Sequence, residues 1–196
     1  KKWQRYWLLD PLDGTGEFIA RSGHFAVNIA LVEDGWPTMA VIYWPCKDML
    51  FFAVKGHGSY KQEGDNITRL QVAKVSNPQK ITVAISRTQD LSGVKRYLTD
   101  GVDAEFVRFG SCSLKSCMVA EGVADCYLRL GPTGEWDTGA PYIIVSEAGG
   151  KILDSQYQSL SFNARESLKN PDFFVLGDQN LDWPQIIEPH RTKREY

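Results

Sequence analysis

The pattern of this chain changes near residue 80, and that change limits the folds open to it. Before it, strand-like runs follow one another with tight turns between. Residues 25–32 are apolar and partly β-branched, Asp34-Gly35 supplies a hairpin turn, and 38–44 is a second run. Pro45 ends that run, 49–54 is a third, and Lys55-Gly56-His57-Gly58 turns it into Ser59-Tyr60. A short edge strand is predicted over 68–73 and a short helix over 17–21. After residue 80, strands (81–85, 104–109, 125–130, 151–153, 173–176) alternate with helices (91–98, 113–122, 137–148, 183–188). The expectation is a layered α/β protein, with an antiparallel-sheet half (1–80) followed by an α/β half (81–196). The helix over 113–122 is expected to bury one face, Leu114, Cys117, Met118 and Val119. At 196 residues there is chain enough for one domain, or two small ones, with a real core.

Composition removes several classes of function. Hydrophobic residues make up 43% and charged residues 23%, an ordinary globular balance. A net charge of −2 gives no basic face for a nucleic acid polymer. No apolar run approaches the roughly 20 residues of a membrane helix, and no signal peptide is visible at Lys1-Lys2-Trp3. Cys46, Cys112, Cys117 and Cys126 form no Cys-x-x-Cys pair and there are three histidines, so a structural zinc site is not expected. Free thiols in a reducing cytoplasm are the expected state. The basic tail Arg191-Thr192-Lys193-Arg194 reads as a solvated end.

The chemistry concentrates in Asp10-Pro11-Leu12-Asp13-Gly14-Thr15. Two carboxylates sit three positions apart on a tight turn just after the apolar run Trp7-Leu8-Leu9. Carboxylate and carbonyl oxygens suit hard divalent cations such as Mg²⁺, which completes its shell with waters and substrate phosphate oxygens. Gly14 lets backbone approach closely, and N–H groups opening a helix favour an anion. Asp-x-x-Asp alone is more often a simple loop. A second segment raises its weight: Trp136-Asp137-Thr138-Gly139-Ala140-Pro141, running into Ser146-Glu147-Ala148-Gly149-Gly150. Asp137 stands where an N-cap belongs, with Pro141 expected in the first turn and Gly149-Gly150 as the stop. Glu147, ten residues or about 15 Å along the helix, is too far to join Asp137.

These two blocks, with Glu17-Phe18, resemble the signature segments of the inositol monophosphatase superfamily. Within it the chain is most similar to the CysQ-type 3'(2'),5'-bisphosphate nucleotidases. The supporting residues are Ser113-Leu114-Lys115, Val119-Ala120-Glu121-Gly122, the run from Tyr127 to Thr133 that leads into Trp136-Asp137, and Arg165 to Pro171. The resemblance implies the α-β-α-β-α sandwich of the sugar phosphatase fold. It implies that Asp10, Asp13, Asp137 and the Leu12 carbonyl bind two or three Mg²⁺ ions. Gly14 and Thr15 then present N–H groups to the phosphate, Thr15 Oγ orients the attacking water, and Thr15 and Asp13 are the catalytic pair. Lys115 and Arg129 hold the nucleotide through its other phosphate and ribose, although a solvated face would also account for both. Ser86 and Ser113 are further candidates near that pocket, and Asp137 borders the substrate.

The implied reaction is Mg²⁺-dependent removal of the 3'-phosphate of adenosine 3',5'-bisphosphate, giving AMP and phosphate. It comes with lithium inhibition, a role in sulfur assimilation, and a cytoplasmic location with peripheral contact to the inner membrane. A homo-oligomer is also open. The alternative enzyme is an inositol monophosphatase. Three departures stand out. Gly16 replaces a usual Lys, Gly110 to Lys115 is one residue longer than usual, and the Glu pair that members carry upstream is absent from these 196 residues. The expectation is a truncated chain lacking N-terminal helices, with weakened cation affinity, an uncovered apolar sheet face, and, as the non-enzymatic alternative, no turnover.

Overall fold

The computed structural model describes residues 3–188. The first six strands are β1 (Arg5–Asp13), β2 (Ala26–Glu33), β3 (Trp36–Trp44), β4 (Met49–Val54), β5 (Gly58–Glu63) and β6 (Asn66–Arg69). They form one antiparallel sheet in chain order, with α1 (Thr15–Ile19) between β1 and β2. Short polar turns set this order from β2 to β6, while β1 meets β2 through the longer connection that carries α1. β6 lies earlier than expected. The Gly64-Asp65 turn pairs Glu63 with Asn66, which fixes the register at once. The chain then leaves the sheet, and Val72 N–H bonds the Ala148 carbonyl instead.

The second sheet holds β7 (Lys80–Ser86), β8 (Asp103–Phe109), β9 (Cys126–Arg129), β11 (Lys151–Asp154) and β13 (Phe173–Leu176), in the order β11-β13-β9-β7-β8. β7 runs parallel to β8 and β9, and the remaining pairs are antiparallel. Between and around these strands lie α2 (Leu91–Lys95), α3 (Cys112–Ala120), the two-residue pair β10 (Thr133–Gly134) and β12 (Lys169–Asn170), and α4 (Glu135–Glu147). Two expected helices are shorter than their sequence pattern. α2 stops at Lys95, and the segment from Trp183 forms only a 3-10 turn, Trp183–Gln185. Neither run is long enough to repay helix nucleation without packing partners on each turn. The basic tail from Arg191 to Arg194 lies outside the described residues.

Alternation along the strands sorts the core into layers. Ala84, Tyr127, Phe173 and Val175 from the second sheet meet α3, α4 and the inner face of the first sheet in one apolar cluster. Their neighbours Val83, Ile85, Cys126, Leu128 and Phe174 face the other way, onto Val94, Tyr97, Trp183 and Ile187. The order is therefore sheet, α3/α4, sheet, α2. α3 was expected to bury one face and instead is buried nearly all round, because sheets lie on both of its sides; even Ser113, Lys115 and Ser116 are enclosed. The outer face of the first sheet is apolar and exposed. Trp7, Leu31, Met39 and Val54 align in register there, as do Leu9, Ile29, Val41 and Phe52.

Candidate active site

In a regular strand, positions 10 and 13 point to opposite faces. The structure puts both Asp10 and Asp13 inside because β1 carries a bulge between them: Asp10 pairs with Asn28 but Asp13 with Ala26. Two residues, Pro11 and Leu12, thus oppose one, and the extra residue reverses the alternation. Pro11 has no N–H to lose there. Asp10 accepts a hydrogen bond from Leu12 N–H at 3.0 Å, and Thr15 Oγ1 donates to the Leu12 carbonyl at 3.2 Å. Gly14 follows in the left-handed region at φ 86°, and a Cβ there would meet the His24 carbonyl oxygen at 3.0 Å.

Asp13 is held by the start of α3. Its Oδ2 accepts from Ser111 Oγ at 2.5 Å, Ser113 Oγ at 2.5 Å and Ser113 N–H at 2.8 Å. Ser111 also caps α3, taking Leu114 N–H at 3.0 Å, from a backbone with φ 61°. Such charge-assisted bonds keep the Asp13 carboxylate in one orientation. α4 brings the third acid. It begins two residues earlier than expected, with Gly134 as the N-cap, so Asp137 is the third helical residue and not the cap. Its Oδ2 accepts from Gly134 N–H at 2.7 Å, which completes the first turn, and Pro141 falls in the second turn.

Ligand oxygens of Asp10, Asp13 and Asp137 all lie within 4.8 Å of one another. Burial pushes the Asp137 carboxyl up to about 6, against the Gly134 hydrogen bond, and Asp13 and Asp10 push the same way. Asp10 is raised as well, mainly by burial. Two buried acids and a half-buried third, Asp10 and Asp137 being pushed toward the protonated form, are a hard-oxygen donor set suited to a divalent cation.

The acids border a cavity of about 490 Å³, of a size suited to a small molecule. Its lining includes Asp13, Gly14, Ser86, Lys115, Arg129 and Asp137. Lys115 is enclosed (2% exposed) and turns its ammonium to the Ser111 carbonyl at 2.5 Å, above the Tyr127 ring at 4.9 Å. Burial lowers its pKa to about 8. Arg129 donates from Nη2 to the Pro132 carbonyl at 3.1 Å. Arg129 Nε and Thr133 Oγ1 are buried without a protein hydrogen-bond partner. Unpaired buried polar atoms are costly, so their presence on a cavity wall favours a polar ligand.

The residues singled out in the sequence are distributed as follows. Asp13 and Asp137 line the cavity, and Asp10, with Leu12 bonded to it, lies beside them. Gly14, Ser86, Lys115 and Arg129 line it, and Ser113 lies behind it, committed to Asp13. Glu147 is at the far end of α4, where its carboxylate takes Gly56 N–H and Gly58 N–H at 2.8 Å each. His24 stacks on Phe109 and accepts Gly110 N–H, while Cys112 and Cys117 are packed in the core. Reading the sequence missed Ser111, Thr133, Arg87 and the role of Glu17. Ser111 could have been found from its place before an apolar helix, which is N-cap grammar. For Arg87 there is no local signal.

A bulged acidic strand, a serine-capped helix and a second helix bring three acids together beside a polar cavity, an arrangement that can hold a divalent cation next to an anion. The chain belongs to the inositol monophosphatase family, whose model matches residues 1–180. It is 40% identical over 188 residues to the 3'(2'),5'-bisphosphate nucleotidase CysQ of Haemophilus influenzae, covering 96% of this chain and 70% of that protein. The CysQ of Escherichia coli K12 is 43% identical over 173 residues, 88% of this chain and 68% of that one. Among solved structures, CysQ of Bacteroides thetaiotaomicron superposes with a TM-score of 0.78 at 38% identity, covering 90% of this chain and 71% of its own. The fold is thus the sugar phosphatase sandwich inferred from the sequence, and the chain is that of a phosphoric monoester hydrolase family.

Proposed function

We propose that this protein is a Mg²⁺-dependent 3'(2'),5'-bisphosphate nucleotidase that converts adenosine 3',5'-bisphosphate to AMP and phosphate in sulfur assimilation. The observation that carries this is the convergence of Asp10, Asp13 and Asp137 within 4.8 Å beside a cavity lined by Lys115 and Arg129. The similarity to proteins named CysQ supplies the substrate class. The three carboxylates and the Leu12 carbonyl hold Mg²⁺, which, when bound, neutralises charge developing on the phosphoryl oxygens. Ser111 and Ser113 keep Asp13 aimed at that position. Thr15 Oγ orients the attacking water, and Gly14 and Thr15 offer N–H groups to the phosphate. Water oxygen joins phosphorus, the bond from phosphorus to the ribose 3' oxygen breaks, and that oxygen leaves with a proton. Lys115 and Arg129 line the wall against which the nucleoside part lies. A cytoplasmic location accords with four unpaired cysteines.

The test is phosphate release by the purified chain with Mg²⁺, using adenosine 3',5'-bisphosphate and inositol 1-phosphate side by side. Preference for the bisphosphate is the expected result. Preference for the inositol ester, or no turnover of either, overturns the proposal.

A further inference from the structure

Two elements face each other across the mouth of the cavity: α1, with Gly16 and Glu17, and the end of β7 at Ser86 with the loop residues Arg87 and Thr88. One ion pair joins them. Arg87 Nη1 donates to Glu17 Oε2 at 2.9 Å, and the same carboxylate oxygen accepts from Ser22 Oγ at 2.5 Å. The Arg87 side chain is 44% exposed and that of Glu17 19%. The loop beneath Arg87 is held firmly. Arg108 Nη1 donates to the carbonyls of Ser86, Arg87 and Gln89 at 3.2, 2.8 and 3.0 Å. Glu17 is seated with equal care, since a Cβ on Gly110 would strike its Cγ at 2.7 Å.

A substrate with two phosphates needs two anion sites. One lies at the acidic end of the cavity, through its cation. Of the other cations on the wall, Lys115 is turned to backbone carbonyls, and Arg129 gives Nη2 to Pro132 while its unpartnered Nε is buried rather than at the rim. Arg87 stands at the open rim, and its guanidinium has Glu17 as its one hydrogen-bond partner among the described residues. A guanidinium carries five donors in a fork that fits phosphate, and it keeps its charge at any working pH. Gly16, beside Glu17, places no side chain in the way; nothing lies within 4 Å of where its Cβ would be.

We infer that Arg87 is a specificity-determining residue: it takes the phosphate that is not cleaved, and Glu17 holds it ready and competes with that phosphate for it. This rests on the bisphosphate reading above. The two substitutions then act in opposite directions. Arg87→Met removes the cation, and Glu17→Gln removes the competing charge while its amide oxygen still accepts from Ser22.

The experiment compares adenosine 3',5'-bisphosphate with adenosine 3'-monophosphate, which lacks the second phosphate. Initial rates with Mg²⁺ give kcat/KM for each, and titration of metal-free protein gives the affinity ratio without turnover. The expected loss in Arg87→Met is about tenfold or more in the bisphosphate-to-monophosphate ratio, carried in KM. In Glu17→Gln the ratio holds or rises. Equal losses in both variants mean that the pair is only a strap between α1 and the loop, and overturn the inference. A wild-type preference that survives Arg87→Met overturns it alone. A wild-type chain with no preference for the bisphosphate overturns the functional reading and this inference with it.

Discussion

Replacing Asp137 with Asn should stabilise the metal-free protein and abolish its response to Mg²⁺. Burial, with Asp13 and Asp10 nearby, lifts the Asp137 carboxyl from 3.8 to about 6. At 1.36 kcal/mol for each pH unit, holding that group ionised at pH 7.5 costs the native state about 3 kcal/mol. Residual contact with solvent reduces this to about 2 kcal/mol. The group is an acid whose folded pKa lies above its unfolded one. Its penalty is absent below about 3.8 and complete above about 6. Asn keeps an oxygen for Gly134 N–H, now at 2.7 Å, and sheds the charge. For a chain of 196 residues, 2 kcal/mol corresponds to a rise in Tm of about 4–8 °C. Thermal unfolding in EDTA at pH 7.5 reads it directly, and at pH 5 the gain should shrink by about half. Adding Mg²⁺ should raise Tm for the wild type by mass action, but not for the variant. A variant less stable than wild type in EDTA, or one with an undiminished Mg²⁺ shift, would refute the placement of Asp137 in a shared acidic site.

Three further outcomes follow from the same geometry. Lys115 is a base whose folded pKa, about 8, lies below its unfolded 10.5, so native stability relative to Lys115→Met should rise with pH between those values. Urea unfolding should show a relative slope approaching 1.4 kcal/mol per pH unit, and none below pH 7. Ser111→Ala should cost about 2 kcal/mol through the lost α3 cap and the lost Asp13 bond; Ser111→Gly, which suits φ 61°, should cost less yet impair the Mg²⁺ shift equally. Glu147→Ala should weaken the β4–β5 hairpin by about 1–2 kcal/mol in the same unfolding assay and leave the Mg²⁺ shift intact.

What could be read from the chain was local chemistry, and what could not was pairing over distance. The hairpins of the first sheet announced themselves because Asp34-Gly35 and Gly56-His57-Gly58 turn the chain within a few residues. Asp10, Asp13 and Asp137 were identifiable from their flanking turn and helix signals. The bulge that turns Asp10 and Asp13 to one side was not, since it exists only through the register against Asn28 and Ala26. Helix α3 looked amphipathic, and its burial on both sides needed the second sheet. The Glu17–Arg87 pair joins residues 70 apart, one in a five-residue helix and one in a loop. Glu17 stood out only as part of the Glu17-Phe18 signature, and nothing in the sequence ties it to Arg87.

The charges of the cavity, taken together, say what kind of ligand completes it. At one end burial raises the Asp137 carboxyl; deeper in, burial lowers the Lys115 amine. Had these groups been arranged to satisfy each other, mutual attraction would have moved both pKa values the opposite way. Instead the acids are clustered among themselves, and Lys115 is given carbonyl oxygens in place of a carboxylate. The cavity thus has an acidic end suited to a cation and a basic wall suited to an anion. A divalent ion alone settles one half and a phosphate alone the other. A metal–phosphate pair, as the proposed function requires, would settle both and offset the burial cost of Asp137 and Lys115. On the proposed function, the buried charges that cost the fold most, Asp137 and Lys115, are the ones that a phosphate ester and its cation would neutralise.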